Sequence, residues 1–170
     1  SGENTYLRAR TFGTSGTADG DDFRLTSQTT ISEGTHSIAV AADGSFVSAW
    51  EVSTEILAQR FTPTGNPQGV EIHVQPSHPG ETTLAWLSDG GFFVAWSEGD
   101  DVDGDSMGVL GRRYASDGSP HADAFVVNQY TPGQQRLGNV VAHEDGVVIV
   151  WRSEETGNNS IRARLIPVLP

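Results

Sequence analysis

Short runs of alternating apolar and polar residues, separated by glycine-bearing turns, cover the chain from end to end. A spacing of two is the signature of a strand with one buried face. The segments Leu7-Arg8-Ala9-Arg10, Leu57-Ala58-Gln59-Arg60, Leu110-Gly111-Arg112-Arg113 and Ile161-Arg162-Ala163-Arg164 share one pattern, and their last arginine recurs at intervals of 50, 53 and 51 residues. They read as four occurrences of one strand. Each of the first three leads through a turn to a second strand, marked by Phe23/Leu25, Ile72/Val74 and Phe125/Val127. A third strand follows around Ile38–Val40, Leu84–Leu87 and Val140–Ala142. The dipeptides Asp43-Gly44, Asp89-Gly90 and Asp145-Gly146 then supply the positive φ that a two-residue hairpin needs, and introduce a fourth strand ending at Trp50, Trp96 and Trp151.

This periodicity predicts an all-β chain of one domain, 1–170, built from three four-stranded repeats over approximately 5–54, 55–107 and 108–158, with one extra C-terminal strand over 159–166. The fourth strand decides the architecture. Phe46-Val47-Ser48-Ala49-Trp50, Phe92-Phe93-Val94-Ala95-Trp96 and Val147-Val148-Ile149-Val150-Trp151 are largely apolar on both faces, so both faces of their sheets are expected to be covered. Blades that stack face to face do this, which makes the fold β-propeller-like. A β-trefoil, also three four-stranded repeats, is the alternative.

Composition narrows the chemistry. A formal charge of -12 repels phosphate backbones and anionic bilayers, so no nucleic-acid partner is expected. All 10 basic residues are arginine, which excludes a Walker lysine and Schiff-base chemistry. With no cysteine there is neither a disulfide framework nor a thiolate site. No apolar run approaches the ~20 residues of a membrane span, and membrane insertion is not expected. The opening Ser1-Gly2-Glu3-Asn4 does not read as a signal peptide, so the chain is expected to be intracellular or a mature or excised segment.

Ala58-Gln59-Arg60-Phe61, taken with Asp89-Gly90-Gly91-Phe92-Phe93-Val94-Ala95-Trp96, resembles a tandem repeat of very large secreted bacterial proteins, in which an Ala-Gln-Arg-Phe strand alternates with an Asp-Gly-Gly-Phe-Val-Val-x-Trp hairpin. The third copy departs by losing one residue between Asp145 and Trp151. The resemblance implies a secreted or cell-surface location, with adhesion or ligand binding rather than catalysis, and it supplies no catalytic residue.

Three sets of residues are candidates for a site. Asp100, Asp101, Asp103 and Asp105 crowd one glycine-containing loop, the kind of oxygen-rich segment that binds calcium, although the glycine and glutamate of an EF-hand loop are missing. Trp86 stands where the other copies have Val40 and Ala142, so it is free of the shared core pattern and is a candidate ligand-facing aromatic. Arg60 and Arg113 belong to the recurring arginine position, which suits either a carboxylate or glycan contact or a structural bond to backbone carbonyls. Trp50, Trp96 and Trp151 are expected in the core.

These features predict a non-catalytic extracellular module that binds a glycan or protein ligand, with calcium as the possible cofactor. A purely structural stalk and a glycan-active enzyme are the competing readings. Since known propellers usually need at least about 4 blades to close, three repeats are expected to pair as a homodimer completing a six-bladed ring.

Overall fold

The computed structural model describes residues 6–27, 34–76, 79–155 and 157–167. Among them there are thirteen strands, and no helix long and apolar enough to cross a membrane. The first sheet is a short pair, β1 (Arg8–Ala9) and β2 (Phe23–Arg24). Blade I is β3 (His36–Val40), β4 (Phe46–Val52), β5 (Glu55–Phe61) and β6 (Pro67–Pro76), antiparallel in that order. Blade II repeats the order with β7 (Pro79–Trp86), β8 (Phe92–Glu98), β9 (Gly108–Tyr114) and β10 (Phe125–Val126). Blade III has three strands, β11 (Gln135–His143), β12 (Gly146–Glu155) and β13 (Asn158–Pro167). The chain is all-β and propeller-like.

The blades run out of phase with the sequence repeats. Each sheet joins the last two strands of one repeat to the first two of the next, so the blade limits fall near 36–76, 79–126 and 135–167 rather than at 54 and 107. Residues 159–166 are consequently the third strand of blade III and not a supernumerary one. The pair β1–β2 stands in the third and fourth places of a further blade lying on blade I.

Small side chains on the back of one sheet meet large ones on the front of the next. Ala39, Val47, Ala49, Ala58 and Val74 of blade I pack against Leu84, Phe92, Val94, Trp96, Leu110 and Tyr114 of blade II. Ala85, Phe93, Ala95, Val109 and Val127 on the other side of blade II pack against Leu137, Val140, Val147, Ile149 and Trp151. The double burial explains why β8 is apolar on both faces: every one of its residues is buried. The cross-strand partners Phe46 and Phe61 stack at 4.8 Å, and Phe92 and Tyr114 in the same register stack at 4.9 Å.

Two of the three hairpin turns differ from the two-residue form predicted for all copies. Ala41 and Ser45, like Leu87 and Gly91, close a three-residue loop whose last member, Gly44 (φ 86°) or Gly90 (φ 84°), takes the left-handed conformation. The third copy, shorter by one residue, pairs His143 with Gly146 directly around Glu144-Asp145.

Cross-strand pairing also separates the arginines. Arg60 pairs with Val47 and Arg113 with Phe93, but Arg164 pairs with Ile149, one place further along. Counted from the tryptophan, Ile161 matches Ile56 and Val109, and Ala163 matches Ala58 and Gly111. The pairing of Ala9 with Phe23, against Gly111 with Phe125, gives β1 this same register. The four arginines therefore fall into two sets. Arg10 and Arg164, with Arg112, have guanidinium groups on the backbone carbonyls of Gly20, Val127 and Ala122 respectively. Arg60 and Arg113 project to the other face.

Candidate functional site

Strand direction puts two groups of polar residues at opposite ends of blade II. The turn between β7 and β8 lies at one end, and the acidic loop between β8 and β9 lies at the other, beside Pro79.

At the first end, the back of blade II and the edge of blade III form a cleft of about 210 Å³ lined by Leu87, Ser88, Asp89, Arg113, His143, Glu144 and Gly146. Arg113 arrives from β9 and makes an ion pair with Asp89; its side chain is 13% exposed and that of Asp89 43%. The Asp89 carboxylate also accepts the Gly91 amide at 2.9 Å. Partial burial opposes ionisation there, but the Gly91 amide and Arg113 outweigh it, and the Asp89 carboxyl lies below the usual carboxylate range. On the facing wall, His143 Nδ1 accepts the Asp145 amide at 3.2 Å, so in the neutral ring Nε2 carries the proton. Glu144 supplies a second carboxyl to the same cleft.

The cleft thus combines an ionised carboxylate, a guanidinium, a hydroxyl, an imidazole and a second carboxyl. Arg113 was legible as a recurring position. Asp89 read only as a turn residue, and His143 and Glu144 carried no signal, because they reach the cleft only when blade III stacks on blade II.

The remaining candidates are placed elsewhere. Trp86 is half-buried against the core between blades I and II, with no place in the cleft lining. Arg60 stands on the back of blade I beside the Asp117-Gly118 turn, where a Cβ on Gly118 would lie 3.7 Å from its Cδ. Trp50, Trp96 and Trp151 are 1%, 0% and 6% exposed, consistent with the core role expected of them.

The acidic loop spends its carboxylates on its own backbone and neighbours. Asp101 accepts the Ser106 amide at 2.7 Å, Asp103 accepts Asn128 Nδ2 at 2.5 Å, and Asp105 accepts the Gly133 amide at 3.0 Å. Asp100 and Asp101 both have positive φ, 61° and 56°. Among the described residues, Asp100, Asp101, Asp103 and Asp105 form no convergent ligand set; the one group that converges within 4.8 Å is His143, Glu144 and Asp145. Consecutive exposed residues of one turn come that close through connectivity alone.

Near the acidic end, Arg136 of blade III meets Glu81 of blade II at 3.3 Å, and the Leu137 amide donates to Ser97 Oγ at 2.8 Å. Burial raises the Glu81 carboxyl, yet the Ser97 hydroxyl, its own backbone and Arg136 together lower it. These bonds pin the two blades together.

No family model matches the chain, and no curated protein matches it. Among solved structures it is similar to an endo-arabinase from Bacteroides thetaiotaomicron, with 14% identity over 79% of this chain and a TM-score of 0.48. It is also similar to a GH43 endo-arabinanase from Bacillus licheniformis, with 12% identity over 84% and a TM-score of 0.48. The chain covers 56% of each of those chains. The expectation of a non-catalytic adhesion or ligand-binding module is corrected at this point, since both of these structures are of glycoside hydrolases. At this identity and TM-score the likeness concerns the fold alone, and no residue role or arabinan specificity passes to this chain.

Proposed function

We propose that the chain is the carbohydrate-engaging part of a glycan-active propeller protein, and that the cleft between blades II and III is where it meets the sugar. The observation that carries this reading is the Asp89–Arg113 pair facing Glu144 and His143 across about 210 Å³. A carboxylate and a guanidinium held side by side accept from and donate to neighbouring sugar hydroxyls through charge-assisted bonds. The cleft is smaller than the ~300–1,000 Å³ of drug-sized pockets, which suits one or two sugar units at the end or branch of a polymer. Glycoside cleavage needs two carboxyl groups, one ionised and one that delivers a proton. Asp89, held ionised by Arg113 and Gly91, and Glu144 are the two carboxyl groups that this cleft offers. A polymeric glycan also suits the secreted or surface location that the repeat resemblance implies.

The test is a titration with oligosaccharides of plant and bacterial cell-wall glycans, read by calorimetry, with released reducing ends measured in parallel. Binding that is lost in Arg113→Ala and Asp89→Asn, with any turnover lost in Glu144→Gln, is the expected result. Failure of every glycan to bind, or binding untouched by Arg113→Ala, overturns the proposal.

A further inference from the structure

The two ends of the blade stack are unequal. At the front, β1 and β2 cover only the outer half of blade I: Leu7, Ala9 and Phe23 pack with Leu25, Phe46 and Phe61, and Leu7 also reaches Trp50 and Leu57. Over the inner strand no described residue covers Ile38 and Val40, which are 52% and 60% exposed, beside a groove of about 540 Å³ along β1. At the rear, no described residue covers the outer face of blade III, a mainly apolar ladder that also carries Arg152. Val141 pairs with Val148 and Val148 with Leu165, Val150 pairs with Ala163, and Ile161 continues the row at 74% exposure. Apolar ladders of this kind are covered between blades I and II and between II and III.

The chain itself shows what fits on this face. In the register set by cross-strand pairing, β13 and β1 are the same strand: Ile161 matches Leu7, and Arg162-Ala163-Arg164 repeats Arg8-Ala9-Arg10. Leu7 and Ala9 are the β1 residues that touch blade I. Their counterparts Ile161 and Ala163 lie on the open face of blade III. Blade III also lacks the fourth strand that β6 and β10 provide in the other blades, which leaves the outer edge of β13 without a partner strand among the described residues. Ten residue pairs hold β13 to β12, whereas among the described residues two pairs and the Leu25–Leu7 backbone bond hold β1 to β2, so β1 is the strand that yields more easily.

From this we infer that the open face of blade III docks on the front of blade I of a second copy of the chain. There β13 takes the place of the second copy's β1, β11 and β12 cover its Ile38 and Val40, and its β2 pairs with the free edge of β13 to complete a four-stranded blade. The contact joins two different faces, so it closes only when both copies use both ends, giving a two-fold dimer. The facing surfaces are mainly apolar, with Arg152 paired to Ile161 on one of them, while each chain carries a charge of -12, so added salt strengthens the association by screening repulsion.

The experiment is sedimentation and light scattering of the whole chain from micromolar to millimolar concentration. The expected species has twice the 18.1 kDa chain mass. Ile161→Glu, at an exposed position that leaves the monomer intact by circular dichroism, weakens self-association at least about tenfold. Because the chain has no cysteine, a mixture of Val141→Cys and Ile38→Cys chains cross-links into a disulfide dimer, whereas either variant alone stays uncross-linked. A wild-type chain that stays at monomer mass throughout, an Ile161→Glu chain that keeps the dimer mass, or cross-linking of either single variant with itself overturns the inference.

Discussion

Tyr114 and Asp89 belong to one blade and make its stability respond to opposite ends of the pH range. Burial of Tyr114 against Phe92 pushes its phenol up to about 12, from the usual 10. A raised folded-state value means that this contribution is complete below pH 10 and is lost as pH climbs toward 12, at a total of about 2–3 kcal/mol for two pH units. Urea unfolding of the wild type is expected to weaken over that window. Tyr114→Phe, which copies the residue at the matching position Phe61, removes the dependence. Asp89 works the other way. Its carboxyl is lowered, so its contribution is present above the ordinary carboxylate value of 3.8 and disappears as pH falls below it. Asp89→Asn should flatten the acid limb of a thermal-stability profile and leave the alkaline limb unchanged. Trp96, with no exposed surface, is the deepest of the four tryptophans; Trp96→Ala is expected to cost about 3–5 kcal/mol in chemical denaturation, and the half-buried Trp86→Ala less.

At the scale of elements, turns and loops carry specific demands. A Cβ on Gly91 would collide with the carbonyl oxygen of Tyr114, so Gly91→Ala should cost about 1–3 kcal/mol as overpacking, measured by the same denaturation. In the acidic loop, Asp101 holds the Ser106 amide, and Asp101→Ala is expected to lower the melting temperature equally in calcium and in chelator. A larger loss in calcium would show that the loop is a metal site. The strands, the four-strand repeat and the buried tryptophans were legible in the residue pattern because spacing of two and glycine turns are local signals. The phase of the blades was not legible. A tandem repeat has the same pattern wherever it is cut, and only cross-strand pairing shows that β3 and β4 share a sheet with β5 and β6. The register of Arg164 was hidden for a related reason: the arginine strands look alike in sequence, and only the pairing of Trp151 with Arg162, where Trp50 pairs with Leu57 and Trp96 with Leu110, shows the shift. Of the site, Arg113 stood out by recurrence, while its partners come from a turn of its own blade and from the neighbouring blade.

At the scale of the whole molecule, the described residues form a row of stacked blades. Blade II is covered on both faces, blade I on its back and over part of its front, and blade III on its front alone. A β-trefoil built from the same three repeats would give each copy an equivalent environment. Amide hydrogen exchange of the dilute chain therefore tests the central claim most directly, because protection follows local burial and pairing. The blade stack predicts slowest exchange in Phe92–Glu98, intermediate exchange in Phe46–Val52, and fastest exchange along the outer edge of Asn158–Pro167. Equal protection of the three tryptophan-bearing strands, with Asn158–Pro167 as slow as Gly108–Tyr114, would contradict it.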